Sequence, residues 1–293
     1  MKTHRHLSKR WMAYSPSRVS RRRRFSSLPP ILSLVRKYFP GFFFAFFLLA
    51  PAAEAEEWQE AKGEHFIINF FQDEKFAKDV LFKAEKYYAD IASELGYQRY
   101  SGFWTWDNRV KIYIYADKES FLKATGQPAW SSGLANYTDK AIISYAWSQE
   151  FTEALLPHEI THLIFRDYVG FKGEIPLWLD EGVAQWMEPR KREIIKEATR
   201  QLFENGTPLS LRKMLALDIR RSQDEELAKT YYIEAVSLVG FLITKYGSED
   251  FINFCRQLRD GKSFEESLKF SYPTSIRGIK ELEERWHEDI EGK

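Results

Sequence analysis

The sequence predicts an α+β protein, with a small N-terminal α/β lobe carrying a mixed sheet and a mainly helical C-terminal lobe. Three observations carry this expectation. Strand-like apolar runs bounded by turn residues fall between positions 65 and 145; helical spacing of apolar side chains dominates from 149 onward; and 16% aromatic content supplies large side chains for one core. No internal repeat, low-complexity tract or long linker follows residue 56, so residues 56–293 are expected to form one domain of two lobes, about 56–148 and 149–293.

Taken in order, residues 65–71 read as a strand. Residues 74–95 read as a helix, because Phe76, Val80, Leu81, Ala84, Tyr87 and Ile91 recur at helical spacing. Residues 110–115 alternate as a second strand, after a surface loop at 101–108. A short helix over 118–124 leads to the turn Ser131-Ser132-Gly133, and residues 134–137 and 141–145 read as paired strands. Helices are then expected at 149–168, 177–189, 190–204, about 210–217, 227–246, 248–259, 263–271 and 274–291, with a cleft between the lobes. Pro157 removes a backbone donor from the first of these, which predicts a kink or a restart with proline in the first turn.

Charge is distributed unequally. The first 55 residues hold 11 Lys and Arg against Glu54 alone, which leaves 32 basic and 41 acidic residues in the remainder, a net charge of −9. Nucleic acid and anionic membrane surfaces need clustered Lys and Arg, so both are excluded as partners of the folded part. The leader itself reads as an export signal: a long basic segment ending at Arg36-Lys37, an apolar stretch over 38–50, and Ala53-Glu54-Ala55 as a cleavage site. Cleavage after Ala55 is expected, giving a periplasmic or extracellular protein whose membrane contact is transient. The stretch falls short of the roughly 20 residues of a membrane span; left uncleaved, the leader would be an anchor. Arg22-Arg23-Arg24-Phe25 is a weak twin-arginine pattern, too far from the apolar stretch to carry that reading.

Cys255 is the only cysteine, so no intramolecular disulfide can form, and its place in FINFCRQL reads as a small buried apolar residue. His65 and His287 are isolated. The remaining two histidines of the folded part, His158 and His162, lie in PHEITHL, and Glu181 follows in PLWLDEGVAQW, a HExxH-x18-E pattern. Residues four apart share a helix face, so both imidazoles can grip one ion, with Glu181 as the natural third ligand of a catalytic zinc site that keeps its fourth position open. Glu159 is turned away from the ligand direction but reaches that open position, where a carboxylate can act as general base.

At these residues the chain resembles the gluzincin metallopeptidases, and most closely the compact peptidase MA-like group. Leu156-Pro157-His158-Glu159-Ile160-Thr161-His162-Leu163 is similar to its active-site helix, and Pro176-Leu177-Trp178-Leu179-Asp180-Glu181-Gly182-Val183-Ala184 to its P-x-W-L-x-E-G-x-A ligand helix. The similarity in element order runs from about Trp58 to the C-terminus. It implies a gluzincin (zincin-like) catalytic domain, one zinc ion and hydrolysis of peptide bonds in a peptide or protein substrate.

Ligating histidines need outer partners for their second N–H, and Asp180 and Gln185 are the nearest candidates, Asp180 also being a possible helix cap. Thr161 reads as structural. The resemblance further implies a tyrosine that donates to the oxyanion: YIEAVSLVGFL places Tyr232 in register, Tyr231 serves if the register is off by one, and simple packing at a helix start is the competing role. Residues 133–137, GLANY, offer a sheet edge for an extended substrate. They lack the glutamate with which aminopeptidases of this clan hold a free amino terminus, which favours an endopeptidase over an exopeptidase. A noncatalytic, zinc-stabilised module that binds a peptide or envelope protein is the reading from another class.

Overall fold

A computed structural model describes residues 58–96, 104–127, 129, 131–146, 150–172 and 174–292. The expected leader and its cleavage site lie outside the described residues.

Five strands form one mixed sheet. In chain order they are β1 (Gln59–Lys62), β2 (Phe66–Phe70), β3 (Val110–Tyr115), β4 (Gly133–Asn136) and β5 (Ala141–Tyr145), and across the sheet the order is β1-β2-β3-β5-β4. β2, β3 and β5 run parallel, with Phe66 opposite Val110 and Ile112 opposite Ile142. β1 and β4 run antiparallel at the two edges. The alternation expected of β3 is present: Val110, Ile112 and Ile114 are buried, while Lys111 is exposed and Tyr113 and Tyr115 are half-buried.

β1 is a strand that the sequence did not suggest. Its residues, Gln-Glu-Ala-Lys, carry no apolar alternation and remain mostly exposed, so only pairing with β2 defines it. Next to it, Trp58 stacks on Phe71 with ring centroids 3.9 Å apart and meets Tyr113 and Tyr115 edge-on, which pins the start of the described chain to the sheet.

Helix α1 (Glu74–Glu94) covers the sheet. Its N-terminus is capped by Asp73, whose side chain accepts the N–H of Phe76. Its fully buried face is Ala77, Val80, Ala84, Tyr88 and Ile91, rotated slightly from the expected one, so that Phe76, Leu81 and Tyr87 flank the core. α1 packs between β2 and the motif helix. The short helix α2 is Lys118–Thr125, and the described part of the expected loop at 101–108 contains a single 3-10 turn, Trp106–Asn108.

The helical part follows as α3 (Leu156–Val169), α4 (Leu177–Trp186), α5 (Pro189–Asn205), α6 (Leu211–Ala216), α7 (Glu225–Tyr246), α8 (Ser248–Arg259), α9 (Phe264–Ser271) and α10 (Ile279–Glu291). Several boundaries differ from expectation, two of them for a local reason. The helix expected over 177–189 stops at Trp186, because Glu188 precedes Pro189 and is held extended at φ −76°, ψ 113°. The helix expected over 274–291 starts only at Ile279, since residues 272–276 form a turn and Gly278 is fully extended. Cys255 is buried in α8 as expected, and burial raises its thiol pKa. α7 is long and apolar enough to cross a membrane, yet 72% of that apolar window is buried among its neighbours; it is the central core helix.

α4 and α7 make the most intimate helix pair, and two glycines permit it. A methyl group on Gly182 would lie 2.8 Å from the carbonyl oxygen of Ala235 and 2.8 Å from Val239 Cγ2, and one on Gly240 would lie 2.4 Å from the Trp186 ring. Trp178 secures the other face of α4 against Phe254 and Phe264. Because the obstacle at Gly182 is backbone, the helices must separate to admit any side chain. Gly182→Ala should therefore cost about 1–3 kcal/mol and lower Tm by roughly 2–12 °C; a thermal melt unchanged from wild type would refute this close-packing account.

Candidate metal centre

α3 is entered through a π-helical turn, Phe151–Leu155, and Pro157 lies in its first turn. The wider turn accommodates the missing proline N–H, so the helix runs without a break through the motif. Thr161 has the structural role expected, its hydroxyl donating to the Pro157 carbonyl at 2.7 Å.

His158 and His162 occupy successive turns of one face, and α4 brings Glu181 against them; all three are buried. The two Nε2 atoms are 3.1 Å apart, with Glu181 Oε2 3.8 Å from His158 Nε2 and Oε1 3.7 Å from His162 Nε2. A tetrahedral ion with ligands at about 2.0–2.2 Å holds its donor atoms roughly 3.3–3.6 Å apart; the observed separations fall on either side of that range, the two nitrogens slightly closer and the glutamate oxygens slightly further. Among the described residues this is the one group of three or more His, Cys, Asp or Glu whose donor atoms converge in this way.

The chemistry of the donors also points to a cation. Each ring has Nδ1 against a carboxylate: His158 Nδ1 is 2.8 Å from Glu188 Oε1, and His162 Nδ1 is 2.8 Å from Asp180 Oδ1. A carboxylate at Nδ1 accepts the Nδ1–H and leaves Nε2 facing the centre, where a neutral imidazole offers its lone pair. Two lone pairs cannot hydrogen-bond to one another, and Glu181 Oε2 is buried with no hydrogen-bond partner. With only protons to neutralise this field, burial disfavours charge on His162, but Asp180, Glu181 and Glu159 prevail and push its pKa up to about 10. A metal ion answers the same field with stronger bonds.

The outer partners divide differently from expectation. Asp180 does hold His162, but Gln185 accepts Lys191 Nζ at 3.0 Å and sits one step further out. The residue on His158 is Glu188, which sequence reasoning did not single out: it lies 30 positions from its partner, beyond any helical period. Its only local mark is its position between the ligand helix and Pro189.

Glu159 is half-buried beside the ligands; burial raises its pKa, with Glu181 and Asp180 adding to the rise against the opposing charges of the two histidines. Tyr231 and Tyr232 are buried near the start of α7, with ring centroids 5.6 Å apart. Burial, followed by the charge of Glu181, raises both phenols above their ordinary range. His65 pairs with Glu85 and stacks on Tyr88, and His287 packs against Phe203; neither belongs to the cluster.

β4 is the terminal strand next to this centre, shifted by one residue from the expected 134–137. Its hairpin is tied to α3: Lys140 pairs with Asp167 at 2.7 Å, Arg166 stacks on Tyr137 at 4.4 Å, and Tyr137 meets the His162 ring edge-on with centroids 6.4 Å apart. At Gly133 an added methyl would lie 2.6 Å from Leu155, so the strand lies close along the entry to the metal helix.

In comparisons with known proteins, the family model of the Peptidase MA superfamily matches residues 101–292, about two thirds of the chain. No curated protein matches the chain. β1, β2 and α1 lie ahead of the matched span but belong to the same sheet and core.

Asp180→Asn keeps the shape but can no longer accept from Nδ1 with full charge. It should weaken Zn2+ binding about 10–100-fold in a chelator-competition titration; an affinity within twofold of wild type would show that Asp180 does not orient the ring.

Proposed function

The chain belongs to the peptidase MA superfamily, and from that premise we propose that it is an exported zinc metallopeptidase of gluzincin type that cleaves within peptide chains. The observation that carries the proposal is the convergence of two inward-facing imidazole Nε2 atoms, 3.1 Å apart, and an unpartnered, buried glutamate oxygen. His158, His162 and Glu181 would hold the ion. When bound, zinc supplies Lewis acidity, lowering the pKa of water to about 7 and polarising the scissile carbonyl.

The protein side chains do the rest. Glu159 takes the proton of the attacking water and delivers it to the leaving amine. Tyr232 donates to the oxygen of the attacked carbonyl as negative charge develops there, with Tyr231 as the adjacent alternative; both phenols hold their protons at neutral pH. An extended substrate pairs with the outer edge of β4, which has no strand partner among the described residues and whose residues Gly-Leu-Ala-Asn carry no carboxylate to capture an amino terminus. That supports internal cleavage.

Peptides blocked at both ends should be cut internally by the zinc-loaded protein, with mass spectrometry reading the fragments. Glu159→Gln should lose about 10²–10⁴-fold in rate and Tyr232→Phe about 10²–10³-fold. Intact peptides in the presence of bound zinc would favour a noncatalytic peptide-binding module instead, and a Tyr232→Phe enzyme with unchanged kcat would pass the donor role to Tyr231. Export rests on the leader pattern, and N-terminal sequencing of the exported protein should begin at Glu56; a start near Met1 would refute cleavage.

A further inference from the structure

Among the described residues Lys191 is the one Lys or Arg that is buried, at 8% exposure. A buried ammonium is costly unless it is paired and hydrogen-bonded, so its position asks for a reason. Lys191 lies in the first turn of α5, and its Nζ donates at 3.0 Å to Glu188 Oε1 and at 3.0 Å to Gln185 Oε1. The same Oε1 of Glu188 receives His158 Nδ1 at 2.8 Å. One carboxylate oxygen is thus shared between a metal-facing imidazole and a buried ammonium. Gln185, the second acceptor, stands one helical turn after Glu181 on α4.

From these contacts we infer that Lys191 is a positioning residue for the metal centre, acting on His158 through Glu188 and on the Glu181 helix through Gln185. This rests on the zinc reading given above. Glu188 stands in the link between α4 and α5, where its backbone carbonyl already accepts the N–H groups of Lys191 and Arg192. Its side chain makes no cap hydrogen bond of its own, which leaves it available to the imidazole and the ammonium. Replacing the ammonium by an apolar group leaves a buried carboxylate without its cation, the costly case for an internal ion pair, and the carboxylate must shift toward other donors. His158 then loses the fixed acceptor that orients its ring.

The other cations of the segment act on the outside. Arg190 pairs with Glu153 in the π-helical turn ahead of α3, and Arg192 pairs with Glu94 of α1 at 3.0 Å while stacking on Trp186. Both arginine side chains are more than a third exposed, so each contributes little to stability. Their side chains fasten α5 to its neighbours through partners other than the Glu188 carboxylate, and Arg190 therefore serves as the control for mere docking of this helix.

The test is the zinc affinity of the full chain, measured by competition with a chromophoric chelator. The forms compared are wild type, Lys191→Met, Lys191→Gln, Glu188→Gln, the Lys191→Met/Glu188→Gln double variant and Arg190→Met. Wild type is expected to bind one ion. Lys191→Met should weaken binding about 10–100-fold, as outer-shell losses do, with Lys191→Gln intermediate because it keeps a donor. The double variant should be no weaker than the worse single one, since both act through one contact, and Arg190→Met should bind as wild type does. If Lys191→Met fails to fold, Lys191→Gln decides alone. Affinity within twofold of wild type in the folded Lys191 variants overturns the inference while leaving the zinc reading intact. Equal losses in Arg190→Met and Lys191→Met also overturn it, because helix docking would then explain both. Wild-type protein that binds no zinc removes the zinc reading and this inference together.

Discussion

The rest of the molecule is organised around one electrostatic demand: two imidazole nitrogens and a carboxylate are held within 3.8 Å of each other, out of water. Electron-rich atoms do not gather in a protein interior unless something holds them there and something positive answers them. Holding is done by Asp180 and Glu188 on the far sides of the rings. These negative groups deepen the field at the centre, which the proposed metal ion would answer.

Meeting that demand requires α3 and α4 to keep their relative placement, and their neighbours enforce it. Gly182 follows Glu181 directly and lets α4 lie against the backbone of α7, while Trp178 fills the opposite side. α7 in turn carries Tyr231 and Tyr232 to the same region. One close helix contact therefore fixes both the proposed third ligand and the proposed oxyanion donor. α5 closes the arrangement from behind, with Lys191 bridging Glu188 and Gln185.

The sheet has a different part. Its parallel centre is buried beneath α1, but the antiparallel edge strand β4 is brought to the metal helix by contacts that begin on that helix: Asp167 to Lys140 and Arg166 to Tyr137. The surface proposed to align a substrate and the residues proposed to cut it are thus referenced to one element, α3.

By itself the sequence determined which side chains share the face of α3 that meets Glu181, and most elements, because each has a local period: four residues separate His158 from His162, and alternation marks β3. It also marked the helix that brings Glu181, and Asp180 beside it. The tertiary structure alone decided what lies behind the rings and at the margins. Glu188 meets His158 across 30 positions, Gln185 turns to Lys191 instead of a histidine, β1 exists through pairing that its polar residues do not announce, and Pro189 opens α5 where periodicity had placed it at the end of the preceding helix. The physical reason is range: spacing along the chain reports which residues share one element's face, whereas the partner across an interface depends on how whole helices pack.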